Sequence, residues 1–322
     1  MKIVMVQRKS GSGFSLEAVY GAIAKEITEH SVELFTLSER WLFKDILKLR
    51  RCQADLFHIT GDIHYISFFL PLGKTILTIH DIGRYLELRG LRKFIYRMLW
   101  INLPIIFARA VFFSSKITKI RVNRIVGLNR KYNVVMKLCS NLEFEEEVQI
   151  IRNSKPRILI IGTAKHKNLI GVIKAVKNIP CTLLIVGELD DYLLNFLKHS
   201  RVDYQNYVSV GKQKLESLYL ESDLITFPSF HEGFGLPIIE AQASGTPVIT
   251  SNISPMKEVA GEGAILVDPT RIESIRSAIL GLLKNEELAK ELIKKGKRNA
   301  DLYSVKTVAN NHIKQYKELT NN

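Results

Sequence analysis

The chain has 322 residues, 46% of them hydrophobic, which suits two globular domains of ordinary size. Its three cysteines, Cys52, Cys139 and Cys181, stand far apart without metal-ligand spacing, which excludes a disulfide scaffold and suggests a reducing compartment. No apolar run is long enough to span a bilayer as a helix, and the net charge of +14 is concentrated: from Arg84 to Lys137, thirteen Lys and Arg face one acid, Glu87.

Residues 2–6 form an apolar run that reads as a first strand. Gln7-Arg8-Lys9 interrupts it too soon for a signal peptide, so the expected location is cytoplasmic. A loop with Gly11 and Gly13 follows, then helical spacing over 16–27 through Leu16, Val19, Tyr20, Ile23 and Ile27. Strand, glycine loop and helix make a candidate phosphate loop, though not a dinucleotide fingerprint, because the third glycine is missing. Residues 32–35 read as a strand, 41–49 as a helix and 56–60 as a third strand. His58 and His64 bracket Gly61-Asp62, as metal ligands or as hydrogen-bonded structural residues. Residues 73–81 form a buried strand ending in His80-Asp81, and open α/β sheets place ligands at strand carboxyl ends.

Residues 90–108 suit an amphipathic helix as far as Pro104. Leu91, Phe94, Ile95, Met98 and Leu99 share one face; Arg92, Lys93 and Arg97 fall mostly on another, with Tyr96 and Trp100 at the edges. That composition fits a helix lying on an anionic membrane, and equally a helix packed on a sheet with a solvated basic face. A strand at 110–114, a basic helix at 115–126 and a short strand at 132–136 follow. The acidic-to-mixed stretch before Lys155-Pro156 places a domain boundary between residues 150 and 151.

The second half opens with a strand at 157–162, then Gly162-Thr163-Ala164-Lys165-His166-Lys167-Asn168 and a helix from Leu169. A basic loop between strand and helix suits a phosphate-handling site. Further strands are expected at 182–186, 207–211, 224–227, 248–250 and 264–267, and helices at 212–220, 271–283, 286–302 and 305–319. Alternating strands and helices predict parallel sheets in both halves.

The most informative stretch is Ser229-Phe230-His231-Glu232-Gly233-Phe234-Gly235-Leu236-Pro237-Ile238-Ile239-Glu240. An apolar strand ends at Pro228, a glycine loop follows, and Pro237 sits where the first turn of a helix tolerates proline. The helix start offers backbone N–H groups and a positive dipole end to an anion. Glu232 and Glu240 frame the turn, and carboxylates accept hydrogen bonds from sugar hydroxyls. Together they suggest a pocket for a group bearing both phosphate and hydroxyls.

Glu232-Gly233-Phe234-Gly235-Leu236-Pro237 with Glu240-Ala241, continued by Gly245-Thr246-Pro247, Glu258-Val259-Ala260-Gly261 and Asp268-Pro269, resembles the signature of glycosyltransferase family 4. The resemblance implies a retaining, nucleotide-sugar-dependent enzyme of the GT-B fold: two Rossmann-like parallel α/β domains facing across a cleft. They would be an acceptor domain at 1–150 and a donor domain at 151–304, with a terminal helix at 305–322 crossing back to the first. It implies Glu232 on hydroxyls of the donor sugar, Glu240 on the ribose, and His80 facing the sugar from the other domain. Gly11 and Gly13 would lie beside the diphosphate. Lys167 would oppose the leaving diphosphate, with His166 standing where the family often has arginine. Gly211 and Lys212 belong to the region that meets the nucleotide base, while Gly233, Phe234, Gly235 and Leu236 form the donor loop. No Asp-x-Asp motif stands at a strand end, so no essential metal and no cofactor are expected; Lys167 and the helix start at Gly235-Leu236 supply positive charge instead. The expected acceptor is a glycan or lipid-linked glycan of cell-surface polysaccharide assembly. Residues 84–137 would face the inner surface of the membrane, and no nucleic acid is expected. The rival readings are a sugar-nucleotide epimerase on the same fold and a non-enzymatic basic binding protein.

Overall fold

The computed structural model describes residues 1–9, 16–38, 40, 42–127, 133–144 and 155–321. The chain begins β1 (Lys2–Arg8), α1 (Leu16–Glu26), β2 (Ser31–Leu37), α2 (Leu42–Arg51), β3 (Leu56–Ile59) and β4 (Thr75–Ile79). It continues α3 (Gly83–Glu87), α4 (Gly90–Tyr96), α5 (Leu103–Phe107), β5 (Ala110–Phe113), α6 (Lys116–Val126) and β6 (Asn133–Val135). The second half runs β7 (Arg157–Ile161), α7 (Leu169–Val176), β8 (Thr182–Val186), α8 (Asp191–Ser200), β9 (Asp203–Tyr207), α9 (Lys212–Leu220) and β10 (Leu224–Phe227). It closes with α10 (Leu236–Ser244), β11 (Val248–Ser251), α11 (Met256–Ala260), β12 (Ile265–Val267), α12 (Ile272–Lys284), α13 (Glu286–Asp301) and α14 (Val305–Thr320).

The chain divides into two compact units, Met1–Asn141 with Ser304–Asn322, and Leu142–Tyr303. The division falls at Asn141/Leu142, before the expected 150/151, and residues 145–154 lie outside the described set. Each unit holds one parallel six-stranded sheet, ordered β2-β1-β3-β4-β5-β6 in the first and β12-β11-β10-β7-β8-β9 in the second. The central strands are buried along their whole length, as parallel strands covered on both faces must be.

One strand differs from expectation. The strand after α8 is Asp203–Tyr207, not 207–211. It pairs with β8 alone at the sheet edge, so it needs no apolar run, and its polar sequence concealed it.

In the first unit the strand pleat sorts side chains to two faces. Phe57, Leu77 and Phe113 join α2's Ile46 and Leu49 and α5's Ile105 in one apolar cluster. On the other face His58, Thr78 and Phe112 meet Tyr20 of α1 and His312 and Tyr316 of α14. His58 holds Tyr316 Oη at 2.6 Å from Nδ1 and Thr78 Oγ1 at 2.6 Å from Nε2. His64 Nδ1 lies 2.7 Å from the Trp100 carbonyl oxygen. Both histidines therefore play hydrogen-bonding structural roles.

The expected helix over 90–108 is α4, then a π-helical stretch Arg97–Asn102, then α5 with Pro104 in its first turn. α4 fully buries none of its side chains: Leu91, Phe94 and Ile95 of its apolar face are exposed, and only Tyr96 at its edge packs on the unit's apolar cluster.

Candidate active site

The strand order of the second unit reverses direction between β7 and β10, and such switch points are where open α/β sheets leave a crevice beyond the strand carboxyl ends. Two loops emerge there. The loop after β7 turns at Gly162 (φ 91°) and passes through a 3-10 turn, Lys165–Lys167, to Asn168 in the left-handed conformation (φ 61°). The loop after β10 runs to Gly235 (φ 109°), which starts α10 with Pro237 in the first turn. A side chain at Gly162 would press on the Lys167 stem, since its Cβ would lie 3.1 Å from Cγ and Cε.

The two loops bring Lys167 and Glu232 together. Lys167 Nζ donates to Glu232 Oε1 at 2.8 Å, with side chains only 19% and 11% exposed. The ammonium also lies 4.7 Å from the Phe227 ring centroid at the end of β10, a cation–π arrangement. Backbone and rings clip the same loops. Phe230 N–H donates to the His166 carbonyl at 2.8 Å, and the His166 and His231 rings stack at 4.7 Å and 22°. Asn168 Nδ2 donates to the carbonyls of Pro228, at 3.2 Å, and Pro269, at 2.8 Å.

Glu240 projects from α10 and is buried; its Oε2 accepts from Tyr219 Oη at 2.6 Å. Burial first, and then Glu240, push the Tyr219 hydroxyl well above its ordinary pKa, so it stays protonated and donates. Gly233 and Leu236 flank Gly235 in the same turn, whereas the Phe234 ring turns into the core, edge-on to Tyr303 at 5.8 Å. Any contact from Phe234 to a ligand is therefore through its backbone. Gly211 precedes α9 without a positive φ, and Lys212 Nζ pairs with Glu143 at 2.8 Å and Glu216 at 3.8 Å.

His80 belongs to the first unit, just past β4. Its Nε2 donates to the Thr60 carbonyl at 2.8 Å, while Nδ1 is buried without a partner among the described residues. Burial pulls its pKa down to about 4, partly opposed by the Thr60 hydrogen bond and by Asp81, so the imidazole is neutral near pH 7. Gly11 and Gly13 lie outside the described residues. Among the described residues, no three His, Cys, Asp or Glu side chains converge as metal ligands.

Three residues of this site were not singled out from sequence: Asn168, Tyr219 and His231. Asn168 and His231 adjoin Lys167 and Glu232 in the chain, so neighbourhood was a signal. Tyr219 gave none, because its bond to Glu240 spans 21 residues.

Residues 141–299 match the family described as glycosyl transferases group 1. The chain is similar to O-antigen chain mannosyltransferase B of Escherichia coli, 25% identical over 281 residues that cover 80% of this chain and 74% of that protein. It is also similar to O-antigen chain mannosyltransferase RfbU of Salmonella typhimurium, 27% identical over 65% of this chain and 60% of that protein. The solved structure of Anabaena HepE in complex with UDP-glucose superposes with a TM-score of 0.77 at 15% identity, covering 99% of this chain and 100% of that one. The two parallel six-stranded sheets give the chain the GT-B fold, and the match over 141–299 makes it a glycosyltransferase. The 141–299 region, which holds Lys167, Glu232 and Glu240, belongs to the group 1 glycosyltransferases.

Proposed function

We propose that the protein is a retaining, metal-independent family 4 enzyme that moves a sugar from a nucleotide-diphosphate donor to a glycan or lipid-linked acceptor in cell-surface polysaccharide or lipopolysaccharide assembly. The observation that carries this reading is the Lys167–Glu232 pair at the β7/β10 switch point. Breaking a sugar–phosphate bond leaves negative charge on the departing diphosphate. Lys167 and the backbone N–H groups at the start of α10 are the fixed positive groups to receive it. Glu232 accepts from donor-sugar hydroxyls, and Glu240, held by Tyr219, accepts from the ribose. With a bound diphosphate, Lys167 exchanges part of its interaction with Glu232 for the phosphate oxygens. Glu232 is then released toward the sugar, so the pair couples donor binding to sugar recognition. We assign His80, neutral and with an acceptor Nδ1, to a sugar hydroxyl. The O-antigen roles in the names of the two curated relatives support the acceptor class. We also assign residues 84–137 to an anionic membrane surface, at the cytoplasmic face, where a lipid-linked acceptor would be found.

The test is a thermal-shift panel with UDP, GDP, ADP, dTDP and CMP, each with and without EDTA. A ligand that binds only the folded state stabilises it by roughly 2.7 kcal/mol at a hundredfold excess over Kd. One diphosphate should raise the melting temperature regardless of EDTA and should fail to do so in Glu240→Ala. No shift with any nucleotide, or a shift abolished by EDTA, overturns the corresponding half of the proposal. The anomer of the transfer product, read by NMR, tests retention.

A further inference from the structure

The first unit carries a second apolar and basic surface that the 84–137 segment does not include. On α2, Asp45, Ile46 and Leu49 are buried. Asp45 is buried, accepting from Ser38 N–H at 2.8 Å through Oδ2, while its Oδ1 lies 3.9 Å from Lys48 Nζ. Phe43 is 82% exposed and Leu47 53%, and a spacing of four sets them side by side on the outward face. At 100° per residue, Lys44, Lys48 and Arg51 flank this pair on one side and Arg50 on the other. An outward apolar pair framed by four cations, with no outward acid, is unusual for a surface that faces only water.

α2 lies in the same helical layer as the α4 segment. Its Ile46 and Leu49 enter the apolar cluster that also takes Ile101, Ile105, Tyr96 and Trp100. On α4, Leu91 is 72% exposed and Phe94 60%. One side of the first sheet therefore presents two apolar wedges, each with its own basic fringe.

We propose that α2 is a second membrane contact: Phe43 and Leu47 enter the headgroup region of an anionic bilayer while Lys44, Lys48, Arg50 and Arg51 reach the lipid phosphates. This rests on the membrane reading of residues 84–137 and extends it from one helix to a face. Charge selects the occupant. The first unit holds 26 Lys and Arg against 11 Asp and Glu, the second 20 against 21, so all the excess positive charge is on the unit that bears the wedges. An anionic leaflet attracts juxtamembrane cations, and long basic side chains keep their charge at the surface while apolar neighbours go deeper. Two separated wedges would also fix the unit's rotation on the bilayer, which one helix leaves free.

The experiment is co-sedimentation of the full chain with phosphatidylcholine vesicles containing or lacking phosphatidylglycerol. The wild type is compared with Phe43→Ser/Leu47→Ser and Leu91→Ser/Phe94→Ser, and circular dichroism melting checks the fold of each. Binding should need the anionic lipid, and each double variant should weaken it by roughly tenfold or more while melting like the wild type. If only Leu91→Ser/Phe94→Ser weakens binding, α2 is not a membrane contact, and the 84–137 reading stands alone. Absence of wild-type binding overturns both. A concentration-dependent dimer abolished by Phe43→Ser/Leu47→Ser, with vesicle binding unchanged, would assign the face to a second copy of the chain and overturn the inference.

Discussion

The two units are built alike and differ in what they expose. Both are six-stranded parallel sheets wrapped by helices, with apolar strands at the centre. The second unit is almost neutral overall, yet it sets a lysine and a glutamate at its strand switch point. The first carries the whole excess of positive charge on its surface, while its interior holds a histidine–tyrosine cluster tied to α14. Net charge thus does not mark the candidate site, since the near-neutral unit holds the Lys167–Glu232 pair. A diphosphate site needs only a few directed groups in a sheltered crevice. A bilayer needs many cations spread over a face.

The largest expected effect falls on the second unit. Lys167→Ala should lower kcat by roughly a hundred- to a thousandfold, as loss of a preorganised charge does, in a transfer assay with the donor found by the nucleotide panel. Vesicle binding should be unchanged; a parallel loss of both would break the separation between the units. The next effect belongs to the first unit. Tyr316→Ala empties a fully buried position and removes the partner of His58 Nδ1, which should cost about 3–5 kcal/mol by denaturant unfolding. If the units unfold separately, only one of two transitions should move.

Acid should single out the first unit too. Burial lowers His80 and His312 to about 4 each and holds His58 below its ordinary value, so all three are neutral in the fold. The unfolded chain takes up those protons near pH 6.5, so it binds more protons than the fold between about 6.5 and 4. Stability from these groups is complete above pH 6.5 and falls as the pH drops toward 4. Between pH 7 and 5 the melting temperature should fall by roughly 5–10 °C, as followed by calorimetry. His312→Gln should flatten that slope, and an unaltered slope would remove the imidazoles from the account. The smallest effect is at Gly235. An alanine there must hold φ near 109° and put its Cβ 3.1 Å from Ile238 Cδ1, which should cost about 1–2 kcal/mol and weaken nucleotide binding with it.

The alternation of apolar runs with helical spacing made both sheets legible, because parallel strands buried on both faces must be apolar throughout. Gly235 and Pro237 were legible for a similar reason: a tight strand–loop–helix turn needs a residue that takes a positive φ, and its first helical turn tolerates proline. Lys167 could be named because the resemblance pointed to it. Its pairing with Glu232, across 65 residues of chain, could not be read, nor could the stacking of His166 on His231. Strand order decided both, by placing β7 beside β10. The same limit applied to residues 90–100. A helix with Leu91, Phe94 and Ile95 on one face has the same periodicity whether that face meets a sheet or water. Only the packing showed that α4 buries none of it. Local sequence determines which faces are apolar and which turns can form, since these depend on neighbours within a few residues. What covers a face, and which distant charges meet, depends on the order in which strands assemble, and the tertiary structure alone decided that.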